Sequence, residues 1–347
     1  MSLSRSLLLR TALGAALAPT LGSRASAAGT THLNVGSIGH SIAHFPLYVG
    51  AELGHFAQNG VDIGKVTEFS TGALVGTAVT SGSIDIGSSV ITDVFSLAKA
   101  GRSVKILAVS AGAYYIDIVA SKAFLESTKL TEQSSIGDRI RALRGKNIGV
   151  TGPGSGTEAL VLYLLKLGGI DRTRDVQLVN VGANIPSVLA TLRTGRVDVV
   201  SFAWPLGQQA RVEGIGDTLI SPAHGDIPEM AHEIQGVVYT TQDQIDKKHA
   251  ATVGFIRGYA KACTTILKDP ARARELLKGF YPNLDDKALD LTLEVYRATS
   301  LSTNPMPSEV GFLRAVKFHQ AVGLIGEPYA YNDLVATKAI ADAVAKH

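Results

Sequence analysis

Short apolar runs and stretches with helical apolar spacing alternate along the chain from about residue 33 onward. In the first half, the pattern predicts helices over 45–56 and 73–80 and strands over 33–36, 61–69, 84–87 and 104–109. Ser88 and Ser89 are expected to cap the helix that follows the third strand. An alternating order of this kind predicts a parallel sheet with helices on both of its faces.

The same order restarts in the second half. Helices are predicted over 157–167 and 186–192, and strands over 145–150, 176–181 and 197–202. One offset of 113 residues aligns the halves, pairing Asn34 with Asn147 and Asp85 with Asp198. A repeat at constant offset predicts two lobes of like topology with a cleft between them.

Two β-rich runs, 114–121 and 234–241, lie outside this repeat and flank the second half. We expect the chain to cross between the lobes there. This gives one lobe from 29–113 and 238–347, and a second lobe from 114–237. Residues from 246 onward have helical patterns, the last of them over 332–344, and are expected to pack mostly against the first lobe.

Residues 1–28 have the pattern of an export signal. Arg5 and Arg10 precede an apolar stretch over 11–21, and Ala25-Ser26-Ala27 fits a cleavage site. An amphipathic first helix is the alternative, which Pro19 disfavours. We expect cleavage near Ala27 or Ala28, by general secretion in preference to the twin-arginine route, and a free protein in a bacterial periplasm.

Composition excludes several classes of protein. The chain has 33 Lys and Arg against 30 Asp and Glu, and residues 1–28 contain the whole excess. A neutral mature chain argues against a basic nucleic-acid-binding surface. Cys263 is the single cysteine, which excludes a disulfide framework and cysteine-clustered metal sites. After residue 28, no apolar run approaches the ~20 residues that span a bilayer.

Loops rich in Gly, Ser and Thr follow most of the predicted strands. In open parallel sheets ligands bind beyond the carboxyl ends of the strands, and helix N-termini there suit anions. Ordinary capping and turn chemistry is the alternative for any single residue. The candidate ligand-binding residues are Ser37, His40, Phe45, Thr71, Gly72, Ser88, Ser89, Tyr114, Gly154, Ser155, Thr157, Asn184 and Trp204.

Other chemistry has little support in the sequence. His40 and His44 are spaced as metal ligands on one helix face, but no second ligand cluster accompanies them. The loop over 151–157 is neither G-x-G-x-x-G nor a P-loop, and the chain has no G-x-S-x-G motif. We expect no metal, no cofactor and no catalytic residue. Phe45, Tyr114, Tyr115 and Trp204 could form an aromatic pocket wall, with core packing as the alternative for each.

A family resemblance rests on several short stretches taken in order. They are 45–49 with 52–56, 81–87, 143–150 followed by Gly154-Ser155, 195–198, Trp204-Pro205 and 331–334. In these the chain resembles periplasmic substrate-binding proteins of ABC transporters of the nitrate, sulfonate and taurine type, a group that includes proteins binding the thiamine pyrimidine precursor. The resemblance implies the two-lobed type II periplasmic binding fold. Each lobe is then a mostly parallel sheet flanked by helices, and two crossover segments form the hinge.

The resemblance also implies a monomer that delivers a small molecule to an inner-membrane ABC permease, without an enzymatic or nucleic-acid-binding role. We expect the ligand to be a small anion, an alkane- or arylsulfonate or a related oxyanion. The alternatives are a neutral heteroaromatic such as the pyrimidine precursor, an aromatic carboxylate, and, less favoured, a secreted enzyme on the same fold. Ala203 and Trp204 precede Pro205 where sulfonate-binding members often have Trp-Asp, which weakens a taurine-like ligand.

Overall fold

The computed structural model describes residues 30–39, 41–304 and 306–345. The predicted export signal and the candidate His40 lie outside the described residues. Within them the strands are β1 (Thr31–His32), β2 (Val35–Ile38), β3 (Val61–Asp62), β4 (Thr67–Phe69), β5 (Ile86–Val90), β6 (Val104–Ala111), β7 (Ile116–Ser121), β8 (Asn147–Val150), β9 (Gln177–Asn180), β10 (Val199–Ala203), β11 (Gly216–Ile220) and β12 (Gly236–Thr241). The helices are α1 (Phe45–Glu52), α2 (Gly72–Ser81), α3 (Ile91–Lys99), α4 (Lys122–Thr128), α5 (Ile136–Arg141), α6 (Gly156–Leu167), α7 (Ile185–Arg193), α8 (Leu206–Val212), α9 (Gln242–Lys247), α10 (His249–Lys268), α11 (Pro270–Phe280), α12 (Asp286–Thr299), α13 (Glu309–Ala321), α14 (Tyr331–Leu334) and α15 (Thr337–Val344).

Two five-stranded sheets organise the chain, and their strand orders correspond one to one. The first sheet runs β4-β2-β5-β12-β6 and the second runs β9-β8-β10-β7-β11. In each sheet only the fourth strand is antiparallel to its neighbours. Helices flank both sheets, as the alternating sequence pattern predicted. The two-lobed, mostly parallel α/β fold is therefore confirmed.

The duplication extends to individual hydrogen bonds. The backbone N–H of Asn34 donates to Asp85 Oδ2 at 2.7 Å, and that of Asn147 donates to Asp198 Oδ2 at 2.9 Å. The registers agree as well, because Gly36 pairs with Gly87 in the first sheet and Gly149 pairs with Val200 in the second. The offset of 113 residues thus aligns equivalent hydrogen-bonding atoms as well as similar residue types.

The predicted crossovers, 114–121 and 234–241, are mostly strands. The first contains β7, which pairs in the second sheet, and the second contains β12, which pairs in the first sheet. The chain passes between the sheets over 112–115 and 221–235. The predicted crossover segments therefore start too late in the sequence, because the extended residues belong to the sheet that they enter. The predicted lobe boundary at 113 and 114 lies within the first crossing, whereas the boundary at 237 and 238 lies inside β12.

Two local predictions were wrong. Ser88 and Ser89 do not cap a helix, because both lie inside β5, where pairing with β12 buries them, and Val90 precedes α3 without a side-chain cap. The predicted last helix over 332–344 is broken into α14 and α15. The backbone N–H of Ala336 donates to the Ile106 carbonyl at 2.9 Å, which fixes the break against the edge of β6.

The helical tail contacts both lobes. Helix α10 packs on α1 and α15, whereas α12 packs on α8 beside the second sheet. On α13, Phe318 belongs to the core that includes Tyr114, and His319 is hydrogen-bonded to Thr92 of α3 at 2.8 Å. The tail therefore joins the two halves, where the sequence predicted packing mostly against the first. No helix in the described segments combines the length and the apolar character that a membrane span requires.

Candidate functional site

A cavity of about 460 Å³ lies between the two sheets, at the carboxyl ends of their parallel strands. It is lined by Ile38, Gly39, Ser41, Ser70, Thr71, Gly72, Ala73, Gly76, Thr77, Val90, Asp93, Ser96, Leu97, Tyr115, Ile116, Thr151, Gly152, Pro153, Gly154, Ser155, Gly156, Thr157, Ala183, Ile185, Phe202, Ala203 and Trp204. A second pocket of similar volume lies among α10, α11 and α12, where Arg274 and Asp290 form an ion pair. Only the first pocket is shared by both lobes.

Equivalent caps begin the helices on the two sides. Thr71 Oγ1 accepts the Leu74 N–H at 3.3 Å to cap α2, and Asn184 Oδ1 accepts the Ser187 N–H at 3.0 Å to cap α7. Thr71 lines the cavity, but Asn184 does not, although Ala183 and Ile185 do. Capping therefore uses both polar side chains before any ligand is present.

The loop before α6 is held by its own hydrogen bonds. Thr157 Oγ1 accepts the Thr151 N–H at 2.9 Å and lies 2.8 Å from Ser155 Oγ. Ser155 also caps α6 through the Glu158 N–H, and the Gly154 N–H donates to Glu158 Oε2 at 2.6 Å. Gly154 has a φ of +73°, which favours glycine. These bonds give the cavity a pre-formed rim.

Aromatic rings line the cavity on the side of the second sheet. Tyr115 and Trp204 meet edge to face at 6.3 Å between centroids, and Phe202 lies beside them in the lining. Trp204 Nε1 donates to Asp117 Oδ2 at 2.7 Å, which fixes the indole ring. Burial raises the pKa of Asp117 to about 6, an effect that the nearby Ser221 hydroxyl partly offsets.

Asp93 carries the one carboxyl group in the described lining, which contains no Lys, Arg or His. It is the third residue of α3, and it packs against Gly72 at the start of α2. A Cβ atom at position 72 would lie 1.9 Å from Asp93 Oδ2. Burial raises the pKa of Asp93 to about 6, and the nearby Ser89 hydroxyl and Val90 amide offset part of the shift.

The structure brings six of the predicted site residues together at the cavity. These are Thr71, Gly72, Gly154, Ser155, Thr157 and Trp204. Ser37, Phe45, Ser88, Ser89, Tyr114 and Asn184 do not line it.

Of the six residues that do not line the cavity, Ser88, Tyr114 and Phe45 lie in packed positions behind its wall. Ser88 Oγ is hydrogen-bonded to His44 Nδ1 at 2.8 Å. The Tyr114 hydroxyl donates to the Gly156 carbonyl at 2.6 Å, and Phe45 packs against Phe280.

Sequence reasoning missed Phe202 and Asp93, whereas Tyr115, which it named as a possible ring of the pocket wall, does line the cavity. A signal for Phe202 exists, because it is an aromatic residue at the end of the predicted strand over 197–202. Asp93 gave no such signal, because one acid in the first turn of a helix is usually an exposed partner of the helix dipole. No group of three His, Cys, Asp or Glu residues in the described chain is arranged to hold a metal ion.

Comparison with known proteins agrees with this architecture. The model of the NMT1-like family matches residues 26–279. The alkanesulfonate-binding protein SsuA of Xanthomonas axonopodis pv. citri, solved with MOPS, is similar at a TM-score of 0.67 and 17% identity, over 90% of this chain and 99% of that one. A zinc-bound ligand-binding component of an ABC-type import system from Staphylococcus aureus has a TM-score of 0.71 and 16% identity, over 90% and 99% of the two chains.

The periplasmic nitrate-binding protein NrtA of Synechocystis PCC 6803 has a TM-score of 0.70 and 12% identity, over 91% of this chain and 89% of that one. A comparison with curated protein sequences gave no match. At these identities the solved structures establish the fold, and the family model covers most of the chain. The chain belongs to the NMT1-like family and has the two-lobed fold of the periplasmic substrate-binding proteins.

Proposed function

We propose that this protein is the substrate-binding component of an ABC importer, located in the periplasm. The observation that best supports this function is a cavity lined by loops from both sheets of a duplicated fold. Among the solved proteins with this fold are a ligand-binding component of an ABC-type import system, an alkanesulfonate-binding protein and a periplasmic nitrate-binding protein. A ligand that contacts both lobes favours their closed arrangement, and that arrangement would present it to a membrane permease.

The polar and apolar character of the lining bears on the class of ligand. Tyr115, Phe202 and Trp204, each at most 5% exposed, border the cavity beside apolar residues such as Ile116 and Ile185. The volume of about 460 Å³ is in the range of small-molecule sites. A neutral ring with hydrogen-bonding groups therefore fits this surface well. We place a heteroaromatic ligand first among the candidates.

A small anion is the second candidate, and the N-termini of α2 and α6 favour it. Both helices begin at the cavity, and their partial positive charge could hold an oxyanion or an aromatic carboxylate. The Asp93 carboxylate opposes an anion, because the described lining offers no cationic side chain to offset it. The panel below decides between the two.

Binding, without turnover, is the activity that we propose. On the described rim, the Ser155 and Thr157 hydroxyls are hydrogen-bonded to each other and to backbone groups. No histidine, lysine or carboxylate of the described residues forms a hydrogen bond with either hydroxyl oxygen. Nucleophilic catalysis needs a hydroxyl activated by an adjacent base. Incubation of each bound compound with the protein should return it unchanged, and turnover of any of them would contradict the binding role.

A thermal-unfolding panel tests the function. Purified mature protein is melted with pyrimidines, alkanesulfonates, arylsulfonates, aromatic carboxylates and nitrate, and hits are measured by calorimetry. Ligand at about 100 times its dissociation constant adds about 2.7 kcal/mol to the free energy of unfolding. We expect at least one class to raise the melting temperature. No binding across the whole panel would overturn the proposed function.

A matched pair of variants locates the binding. Ala73 and Ala271 are each the second residue of a helix and exposed, but only Ala73 lines the cavity. Ala73→Phe should weaken ligand binding at least tenfold by filling the cavity mouth, whereas Ala271→Phe should leave it unchanged. Equal affinity in both variants would place the ligand elsewhere.

A further inference from the structure

One carboxyl group faces the cavity in the described lining, and nothing there neutralises it. Apart from Asp93, the polar side chains of that lining are Ser and Thr hydroxyls and the Tyr115 and Trp204 rings. A carboxylate in a cleft without a cationic neighbour leaves the site with an acceptor in excess. The lining therefore favours a ligand that brings a donor.

The position of the carboxyl group is built into the fold. Asp93 lies on α3 of the first lobe, and Gly72, the first residue of α2, leaves the space that its carboxyl occupies. Any side chain at position 72 would meet the carboxyl oxygens at 1.9 to 2.5 Å. The two helices therefore hold the group at the cavity side of the sheet.

The carboxyl group also lacks a full set of partners. Its Oδ2 atom is buried and accepts no hydrogen bond from the described residues. The Ser89 hydroxyl and the Val90 amide lie near enough to lower its pKa in part, but burial has the larger effect and raises the pKa. A buried acceptor without a donor is costly in free energy. Oδ2 itself is closed off against Gly72, but Asp93 as a whole is part-exposed and lines the cavity, so a ligand N–H group would approach the carboxyl from that side.

We propose that Asp93 determines the specificity of this cavity by selecting ligands whose inner end carries an N–H donor, an amine or an amino-substituted ring. This rests on the proposed binding function and narrows its ligand class. A carboxylate forms strong charge-assisted hydrogen bonds with such donors. An isostere with a methyl group in place of the amino group leaves the carboxyl unpaired, and sites built around a hydrogen bond reject such analogues strongly.

Three pairs of probes test the selection, one for each ligand class left open. They are 4-aminopyrimidine with 4-methylpyrimidine, 2-aminoethanesulfonate with 1-propanesulfonate, and 4-aminobenzoate with 4-methylbenzoate. In each pair the second compound replaces the amino group by methyl. In at least one pair, the wild-type protein should bind the amino compound at least tenfold more tightly, measured by calorimetry.

A graded series of variants ties the preference to Asp93. Asp93→Asn keeps one acceptor and should reduce the preference, and Asp93→Leu removes both acceptors and should reverse it. Asp138→Asn is the control, because Asp138 is also the third residue of its helix but is exposed and far from the cavity. Circular dichroism and melting curves check that each variant is folded.

The possible outcomes separate this proposal from the importer function. Methyl compounds that bind the wild type as tightly as their amino partners would overturn the role of Asp93 and leave the importer function standing. A preference that survives in Asp93→Leu would overturn it as well. Binding of nothing, in the pairs or in the wider panel, would overturn the importer function itself.

Discussion

The two lobes share a framework and differ in the chemistry that each brings to the cavity. The strand order recurs in the two sheets, and the Asn–Asp hydrogen bond and the helix caps at Thr71 and Asn184 recur at the offset of 113 residues. At that offset Asp93 corresponds to Leu206, and Trp204 corresponds to Ile91. The first lobe therefore supplies a carboxyl group where the second lobe has the core residue Leu206. The second lobe supplies an aromatic ring where the first lobe has the core residue Ile91. The two lobes therefore share backbone positions but differ in the side chains at the cavity.

The largest expected effect comes from Trp204. Trp204→Ala removes a ring that is 1% exposed and takes the indole donor from Asp117. We expect a loss of about 3–5 kcal/mol in the free energy of unfolding, measured by urea denaturation. Trp204→Phe keeps a ring and should recover part of this loss. If Trp204→Ala costs less than Ile91→Ala at the equivalent position, the ring does not stabilise the second lobe as argued.

The two aspartates of the repeat should differ. Asp85 Oδ1 also accepts hydrogen bonds from Gln244 at 2.7 Å and from Lys248 at 2.8 Å, whereas the Asp198 carboxyl has only the Asn147 N–H as a partner in the described chain. We expect Asp85→Ala to cost about 2–3 kcal/mol and Asp198→Ala about 1 kcal/mol. Chemical denaturation measures both, and equal losses would mean that the contacts from Gln244 and Lys248 add nothing.

The stability of the empty protein should depend on pH through Asp93. Its pKa is raised by burial to about 6 from a usual 3.8, so the wild type loses stability as pH rises through this range. Asp93→Asn escapes that loss, and above pH 6 it should be more stable than wild type by about 1–2 kcal/mol. At pH 4 the two should melt together. The Asp138→Asn control should show no gain above pH 6, because partners lower the pKa of that exposed group.

The smallest effect is expected at the equivalent caps. Thr71→Ala and Asn184→Ala each remove one helix-capping acceptor, and each should cost about 1 kcal/mol in unfolding. Only Thr71 lines the cavity, so only its loss should also change ligand affinity. Equal changes in affinity for both variants would contradict the assignment of the cavity wall.

The sequence predicted the framework well because its signals are local. The apolar periods, the glycines after helices and the Asn34 and Asp85 repeat all reflect backbone requirements within one lobe. Contacts between residues distant in sequence were harder to predict. Ser88 and Ser89 are residue types that often cap helices, but here they are buried by β12, nearly 150 residues later. Tyr114 and Tyr115 point to different surroundings, and only the register of β7 decides which of them reaches the cavity.

The positions of the two antiparallel strands in the sequence, β7 in the second sheet and β12 in the first, have a consequence for synthesis of the chain. Every strand of the second sheet lies between residues 116 and 220, but the first sheet needs β12, which ends at Thr241. Until β12 emerges, β5 and β6 lack the strand that pairs with both of them and expose unpaired backbone edges. The half that is translated first is therefore the half whose sheet is completed last.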